Sequence, residues 1–250
     1  MSPDRAGGQA GLVLRAGAAT DVGVVREHNE DSVLADRVVF VVADGMGGHA
    51  AGEVASSIAT ATLGELVDRP SRTPEDVVDS LALANRRILE SAARHPGTAG
   101  MGTTAAGLVV VEVEGSQQCA VFNVGDSRVY RFADSLRLVS VDHSEVRELV
   151  DAGIISEDEA LHHPLRNIVT RALGSDPAPT PDVWLLAPQP GERFVICSDG
   201  LTNEVPDEQI AEVLHRVEEP QACADALVAA ALAAGGRDNV SVVVVVVEAG

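Results

Sequence analysis

The chain has 250 residues, of which 46% are hydrophobic and 22% charged, a balance typical of a folded globule and not of a disordered chain. Its 18 basic residues, all arginine, stand against 38 acidic ones and give a net charge of −20. Nucleic acids and anionic membranes attract proteins with a positive field, so this charge argues against both as main partners. It does not exclude a phosphorylated substrate, because bound metal ions can make an acidic site locally positive.

The amino-terminal residues and the cysteines indicate a cytoplasmic protein. Residues 1–10 contain no apolar core, so we expect a disordered tail there and no signal peptide. The longest apolar run, Val242–Val247, is far shorter than the roughly 20 residues that a membrane helix needs. The cysteines, Cys119, Cys197 and Cys223, lie far apart in apolar segments, which favours buried, reduced thiols. We expect a cytoplasmic protein that does not insert into a membrane, and we interpret it as a monomer.

The first third of the chain predicts three strands followed by two helices. Short apolar runs indicate strands at 12–15, 32–35 and 38–43. Between residues 49 and 67 the apolar positions recur every four residues, which is typical of a helix with one buried face. The positions that define this face are Val54, Ile58, Thr62 and Leu66.

The second helix is marked by its first turn. Thr73 is a favourable N-cap, and Pro74 fits the first helical position. Asp76 lies three residues after the cap, as in a capping box. The pattern predicts a helix that continues to about His95.

Strand patterns then return and alternate with short helices towards the carboxyl end. The segment 153–174 mixes short helical signals with Pro164 and Asn167, so we expect an irregular excursion there. Strands are expected at 103–113, 118–124, 128–132, 136–139, 183–186, 192–197 and 240–247, and helices at 144–152, 207–217 and 220–234.

This order of elements predicts the fold class. Strands that follow one another with few helices between them favour antiparallel sheets. About ten strands are too many for one twisted sheet, which indicates two packed sheets. We therefore expect an α+β protein built as a four-layer α-β-β-α sandwich, with two antiparallel sheets flanked by pairs of helices. Because the sequence contains no repeat or linker, residues 1–250 are interpreted as one domain.

Four aspartates stand where an apolar run meets a turn. Asp44 follows "VVFVVA" and Asp199 follows "RFVICS". Asp126 lies in a Gly-Asp-Ser turn, and Asp238 precedes a run of valines. One such aspartate is usually a turn former that caps its own backbone. Four of them favour a shared explanation, because a carboxylate that leaves water without a partner costs several kcal/mol. We interpret that partner as a common cation.

The segment Asp21–Asp31 adds Glu30 and Asp31 to this set, together with Arg26. Taken alone, such a charge cluster is most often a solvated loop. Together, this segment and the four aspartates give six carboxylates at strand ends. Carboxylates are hard oxygen ligands, and in the absence of histidine or thiolate clusters they select Mg²⁺ or Mn²⁺. Many carboxylates can hold two such ions. Glycines in the turns would let backbone carbonyls approach a metal, and these are Gly45, Gly47, Gly48 and Gly200.

Seven short motifs occur in order between residue 21 and about residue 247. They are "DVGVVREHNED", "VVADGMGGH", "MGTTA", "NVGDSRVYR", "DHS", "CSDGL" and "RDNVSVVVV". In these motifs the chain resembles the metal-dependent protein phosphatases of the PPM type, the type 2C Ser/Thr phosphatases, in their bacterial form. Each motif alone is weak, and their common order carries the resemblance. It implies two antiparallel sheets between helix layers, with the metals at one end of the sandwich.

The resemblance also implies a ligand set for two Mn²⁺ or Mg²⁺ ions. Asp44 would bridge both ions. Asp199 and Asp238 would complete the shell of the first ion, and Glu30 with the Gly45 carbonyl would bind the second.

Four further roles are implied around these ligands. Asp126 matches the position that, with Asp199, is tied to a third, weaker ion in bacterial relatives. Arg26 matches the phosphate-binding arginine, and its planar fork can hold two phosphate oxygens. Arg26 and Asp44 are therefore the expected catalytic residues. Asp31 and Asn239 are expected to orient the ligands without binding the metals themselves.

The general acid stays unassigned at this point. Eukaryotic relatives carry a histidine after the Asp-Gly pair, whereas this chain has Met46, as bacterial members do. His49 is more simply a helix-start or packing residue, and a metal-bound water could protonate the leaving group.

The remaining polar motifs have simpler interpretations. We expect His162 and His163 to have a structural surface role, and Thr103 and Thr104 to be core strand residues. The pair Asp142–His143 precedes the segment 153–174 and is interpreted as its anchor. That segment matches the flap beside the active site in bacterial relatives.

The hypothesis is a Mn²⁺- or Mg²⁺-dependent phosphoprotein phosphatase that hydrolyses phosphoserine and phosphothreonine by in-line attack of a metal-bridging hydroxide. The resemblance implies phosphorylated proteins as partners, namely bacterial Ser/Thr kinases and their substrates. Two alternatives stay open. One is a catalytically silent module that binds phosphoproteins, which the loss of a metal ligand would signal. The other is a hydrolase of small phosphoesters or nucleotides, which the absence of basic grooves and nucleotide motifs weakens.

Overall fold

The computed structural model describes residues 12–47, 51–160 and 162–249. The predicted tail at 1–10, and with it Gly48 and His49, lies outside the described residues. The strands are β1 (Val13–Asp21), β2 (Ser32–Asp36), β3 (Val39–Ala43), β4 (Gly45–Met46), β5 (Gly102–Thr103), β6 (Ala105–Val113), β7 (Ser116–Val124), β8 (Arg128–Phe132), β9 (Leu136–Leu138), β10 (Asp182–Leu186), β11 (Arg193–Cys197) and β12 (Val240–Glu248). The α-helices are α1 (Ala51–Gly64), α2 (Pro74–Arg94), α3 (Glu145–Asp151), α4 (Glu157–Ala160), α5 (Asp199–Thr202), α6 (Asp207–Arg216) and α7 (Pro220–Ala234).

The strands form two five-stranded sheets. One has the order β1-β12-β11-β8-β9 and the other the order β10-β7-β6-β3-β2, while β4 and β5 pair separately. Every pairing between these strands is antiparallel. Helices α1 and α2 pack on the outer face of the β3-containing sheet, and α6 and α7 on the outer face of the β12-containing sheet. The predicted four-layer α-β-β-α sandwich is confirmed.

The valine-rich strands lack alternation because both of their faces are buried. In β12, Val242 and Val244 pack under the helices, whereas Val243 and Val245 pack between the sheets. In β3, Val41 faces the helices in the same way, with its neighbours turned to the other sheet. A strand that lies between a helix layer and a second sheet has no solvent face to carry polar residues.

The prediction was accurate for the first turn of α2 and less accurate for the buried face of α1. The capping box of α2 is confirmed, since Thr73 Oγ1 accepts from the Asp76 amide and Asp76 Oδ2 accepts from the Thr73 amide. The predicted face of α1 was off-centre, because Val54 and Ile58 are only partly buried. The core face consists mainly of smaller side chains that allow close approach to the sheet, and its members include Ala55, Ala59, Thr62 and Leu63.

Near the site, the secondary structure differs from the prediction in three places. The strand expected at 103–113 is divided after Thr103, and the short helix α5 was not predicted. The segment 153–174 contains the helical turn α4 and isolated β-bridges at Val169 and Leu173.

In the parts of the chain that the structure describes, no helix combines the length and the apolar character needed to cross a membrane.

A candidate metal centre

The four aspartates predicted at strand ends lie at the same end of the sandwich. The Asp44 carbonyl, directly after β3, accepts from the Thr104 amide at 2.9 Å. Ser198, which precedes Asp199, donates its amide to the Ser241 carbonyl in β12 at 3.0 Å. This bond fixes the end of β11 beside the start of β12, where Asp238 lies. Distant points of the sequence are thereby joined into one carboxylate cluster, defined here as Asp31, Asp44, Asp126, Asp199 and Asp238.

The carboxylates of the cluster repel one another. Burial raises the pKa of Asp44 well above its usual value, and the charges of the other four members raise it further. Burial, followed by the charge of Asp199, raises the pKa of Asp126 to about 7. Burial and the charge of Asp238 raise the pKa of Asp199, against a hydrogen bond from Asn203 Nδ2 that lowers it. A cluster that holds protons this strongly is short of positive charge.

Asp31 is the most deeply buried member, with 9% of its surface exposed. Ser198 Oγ donates to its Oδ2 at 2.8 Å, but its Oδ1 is buried and has no hydrogen-bond partner among the described residues. Burial is the main reason that its pKa is raised to about 7. An orphaned carboxylate oxygen of this kind is costly unless a donor or cation faces it.

Glu30 and Gly45 meet the start of α1. Glu30 Oε1 accepts from the Gly52 amide at 3.1 Å, and the Glu30 amide donates to Asn239 Oδ1 at 2.8 Å. A Cβ on Gly45 would lie 2.2 Å from the Gly52 carbonyl oxygen and 2.4 Å from that of Glu30, so only glycine fits. Asn239 also donates to the carbonyls of Val22 and His28, which holds the loop before Glu30 in place.

Arg26 lies at the exposed edge of the cluster. Its Nη2 donates to Asp238 Oδ2 at 2.6 Å, and half of its side chain is exposed. The hydrogen bond to Asp238 is the main reason that the pKa of the guanidinium is raised, and the charges of Asp44 and Glu30 add to it. The guanidinium can therefore reach an anion bound beside these carboxylates.

Hydroxyl side chains around Asp44 were not predicted to contribute to the site. Thr104 Oγ1 accepts from the Asp44 amide at 2.9 Å and bonds to Ser127 Oγ at 2.7 Å, while Thr103 Oγ1 donates to the Asp44 carbonyl at 2.9 Å. Both threonines are buried, as expected, but they hold Asp44 and do more than fill the core. Part of this signal was in the sequence, because Ser127 directly follows Asp126 in the predicted Gly-Asp-Ser turn.

The structure adds a packing reason for one predicted glycine. Gly200 lies in α5, where a Cβ would meet the Asn239 carbonyl oxygen at 1.9 Å. This backbone contact explains its small size, and the expectation that it lets a backbone carbonyl approach a metal stays a prediction. His162 is exposed and His163 half-buried, in keeping with their expected surface role.

The anchoring role expected of Asp142 and His143 agrees with the contacts. Asp142 accepts bonds from Arg128, and the His143 carbonyl accepts from the Thr170 amide at 2.8 Å. Thr170 lies near the end of the segment 153–174. This part of the chain is therefore fastened beside the cluster.

The donor set suits a hard divalent cation. Within residues 12–47, 51–160 and 162–249, no three acidic, histidine or cysteine side chains already meet around one point as a closed cage. The fit rests instead on the chemistry of the donors, which are carboxylates and backbone oxygens, and on the raised pKa values of Asp44 and Asp126.

Residues 25–234 match the family described as Protein phosphatase 2C. The chain belongs to this family. It is 40% identical over 237 residues to the serine/threonine protein phosphatase PstP of Mycobacterium tuberculosis, covering 93% of this chain and 45% of that protein. It is 35% identical over 244 residues to the serine/threonine phosphatase stp of Listeria innocua, covering 93% and 95%. The phosphatase 2C chain thus spans less than half of the mycobacterial relative and nearly all of the Listeria one.

Solved structures extend the similarity to the whole sandwich. A crystal structure of the Mycobacterium tuberculosis phosphatase PstP superimposes with a TM-score of 0.89 at 38% identity, covering 95% of this chain and all of that one. The catalytic domain of PstP in complex with two manganese ions has a TM-score of 0.87 at 37% identity, with coverage of 95% and 100%. A metal-bound relative therefore shares the fold of this phosphatase 2C chain.

Proposed function

We propose that this chain is a metal-dependent phosphoprotein phosphatase that hydrolyses phosphoserine and phosphothreonine. The observation that carries the proposal is the carboxylate cluster with Arg26 at its edge, in a member of the protein phosphatase 2C family. The names of the relatives support the choice of phosphoserine and phosphothreonine. Bacterial Ser/Thr kinases and their substrates are the proposed partners.

In this proposal the cluster, together with Glu30 and Gly45, would hold two Mn²⁺ or Mg²⁺ ions. Asp44 would be shared by both, Asp199 and Asp238 would bind the first, and Glu30 and the Gly45 carbonyl would bind the second. Asp126, with Asp199, would hold a third, weaker ion. When bound, such ions lower the pKa of water and neutralise charge on the phosphoryl group.

The residues of the chain supply position and charge. Arg26 leaves Asp238 to hold two phosphoryl oxygens, and its planar fork stabilises the charge that spreads over them in the transition state. Thr103 and Thr104 hold the backbone on either side of the Asp44 carboxylate. Asp31, itself held by Ser198, and Asn239, which holds the Glu30 amide, keep the ligands oriented from outside the metal shell.

Phosphate release from phosphoserine and phosphothreonine peptides tests the proposal. We expect turnover with Mn²⁺, none with EDTA, and a loss of at least about a thousandfold in Asp44→Asn, since a bridging ligand is removed. Asp134→Asn, in the exposed turn at the far end of β8, is the matched control and should be fully active.

Three outcomes would contradict the proposal. Undiminished turnover in EDTA would exclude a metal-dependent reaction. Faster release from nucleotides than from phosphopeptides would favour a small-phosphoester hydrolase. Tight binding of phosphopeptides without release would favour a silent binding module.

A further inference from the structure

Two exposed valines directly precede Arg26 in the loop at the edge of the carboxylate cluster. Val24 is 70% exposed and Val25 is 65% exposed. Among the described residues, no other two consecutive large apolar side chains are both exposed. Neither valine packs into the core under the helices or between the sheets. A single apolar residue on a surface is ordinary, but this pair lies beside the residue that binds phosphate in the proposed function.

The main chain holds Val24 against the turn that carries Asp238. The Val24 amide donates to the Gly236 carbonyl at 2.7 Å. A Cβ on Gly236 would lie 2.9 Å from Val24 Cγ2, so one methyl group of the valine rests on this glycine while most of the side chain stays exposed. Gly23, with a φ of +80°, passes so close to the Asp238 carbonyl oxygen that a Cβ would lie 2.2 Å from it. The valines therefore stand on a fixed base.

Asn239 fixes both ends of the same loop. Its Nδ2 donates to the Val22 carbonyl and to the His28 carbonyl, at 2.9 Å in each case. The two valines and Arg26 lie between these bonds, so they keep their positions relative to one another. Valine adds to this rigidity, because its branched Cβ leaves few χ1 rotamers. A contact with these side chains therefore costs little conformational entropy.

A phosphopeptide whose phosphoryl group is held by Arg26 must also pass the neighbouring residues of the loop. Consecutive Cα atoms are about 3.8 Å apart in any trans chain. Peptide residues one or two positions from the phosphoserine therefore come within reach of loop residues one or two positions from Arg26. On one side of Arg26 these are Val25 and Val24, and on the other they are Glu27 and His28, which are also exposed. The loop is apolar on one side only of the phosphate-binding residue.

We propose that Val24 and Val25 determine substrate specificity by binding an apolar side chain of the phosphopeptide, one or two positions from the phosphoserine or phosphothreonine and on one side of it. The inference rests on the proposed function, because it takes Arg26 as the group that holds the phosphoryl oxygens. A leucine, isoleucine, valine or methionine in the peptide covers the valines, and apolar surface is removed from water. Because this contact is the same in the ground state and in the transition state, it lowers KM and leaves kcat unaffected.

Phosphoserine peptides that differ at a single position test the proposal. They carry leucine or glycine at one of the two positions before or after the phosphoserine, and phosphate release is measured with Mn²⁺. The quantity compared is the ratio of kcat/KM for the leucine peptide to kcat/KM for the glycine peptide, in wild type and in the double variant Val24→Ser/Val25→Ser. The matched control is Val13→Ser, which replaces a valine that is 44% exposed at the end of β1 opposite to Asp21.

We expect a ratio of about 10 in wild type, on one side of the phosphoserine only, since the leucine buries a few methyl and methylene groups. In the double serine variant the ratio should fall to about 2, through a higher KM for the leucine peptide. In Val13→Ser it should equal that of wild type. The same ratio in wild type and in the double serine variant would overturn the inference. So would an equal loss for both peptides, which would show that the valines only position Arg26.

A second variant replaces both valines by a larger apolar side chain. Val24→Ile/Val25→Ile should keep or raise the leucine-to-glycine ratio, and it decides the matter if the serine variant has lost its cooperative thermal transition. A lower ratio in the isoleucine variant would contradict an apolar contact.

Failure of the proposed function gives a different result from failure of this inference. If wild type releases no phosphate from any phosphopeptide, the proposed function fails. The fluorescence anisotropy of the labelled leucine and glycine peptides then gives the same comparison as a ratio of Kd values, and equal Kd values would overturn the role of the valines.

Discussion

One arginine–aspartate pair lies beside the carboxylate cluster and a second includes one of its members, and the surroundings of the two pairs differ. Arg128 Nε lies 3.0 Å from each oxygen of Asp142, its Nη2 lies 2.6 Å from Oδ2, and its Nη1 donates to the Tyr130 hydroxyl at 3.2 Å. Arg26 donates to Asp238 through one nitrogen, Nη2, also at 2.6 Å. The side chains of the first pair are 29% and 14% exposed, and those of the second 52% and 36%.

The comparison shows that one pairing of residue types can serve two purposes. Asp142 is neutralised by a partner that is held on several sides, so this pair fastens β8 to the loop that leads to His143. Asp238 is one of several carboxylates, and its charge raises the pKa of Asp44, Asp31 and Asp199. Its bond to Arg26 is accessible to water and can be exchanged for a bound phosphate.

The largest expected effect is on stability: the same Asp-to-Asn substitution should change the free energy of unfolding in opposite directions in the two pairs. Asp142→Asn should lower the free energy of unfolding by about 3 kcal/mol, because it leaves a largely buried guanidinium without its charge partner. Asp238→Asn should cause no loss and should add up to ~1 kcal/mol in the metal-free protein, because it removes a repelling charge. Urea unfolding in EDTA measures both. Equal destabilisation by the two variants would break the comparison.

The next largest expected effect is a loss of activity, without a loss of stability, when Arg26 is replaced. Arg26→Ala should reduce kcat/KM for phosphopeptides about a hundredfold, as expected for a group that stabilises charge in the transition state. Arg26→Lys should recover only part of this, because an ammonium cannot supply the planar fork. The free energy of unfolding should change by less than about 0.5 kcal/mol.

The matched control for Arg26 is Arg15→Ala, which removes an exposed arginine paired with Glu219 and Glu248 and should leave kcat/KM unaffected. Mn²⁺ binding by Arg26→Ala should equal that of wild type. Loss of the ions in Arg26→Ala would show that its role is to hold the metal site together, and not to bind phosphate.

The smallest effect is a pH dependence of the metal-free protein. Asp31 and Asp126 have a folded-state pKa of about 7, against about 3.9 in an unfolded chain. The folded state therefore binds more protons between these values, so its stability is full below pH 4 and is lost as the pH rises through 7. We expect urea unfolding in EDTA to show a free energy of unfolding that falls steadily from pH 5 to pH 7 and then levels off.

Asp31→Asn provides the control for this pH dependence, since it removes one of the titrating groups and should flatten the profile. A stability that increases from pH 5 to pH 8 would contradict the picture of a self-repelling cluster. It would place the dominant titration outside the carboxylate cluster.

The predictions that came true depended on local signals. The valine runs, the capping box of Thr73 and Asp76, and the aspartates after strand ends are each encoded in a few neighbouring residues. The face of α1 was misplaced because periodicity gave weight to large side chains, whereas the sheet selected Ala55 and Ala59 for close packing. The ligand roles of the acidic residues remain predictions, which the experiments above test.

The sequence by itself determined which strands are buried on both faces, which turns carry carboxylates and to which family the chain belongs, because these depend on composition and order along the chain. Only the tertiary structure decided that Arg26 pairs with Asp238, that Ser198 holds Asp31, and that His143 links Gly125 to Asp182. These contacts join residues that are 18 to 212 positions apart. They follow from sheet order and strand register, which the packing of the whole sandwich fixes and no single segment encodes.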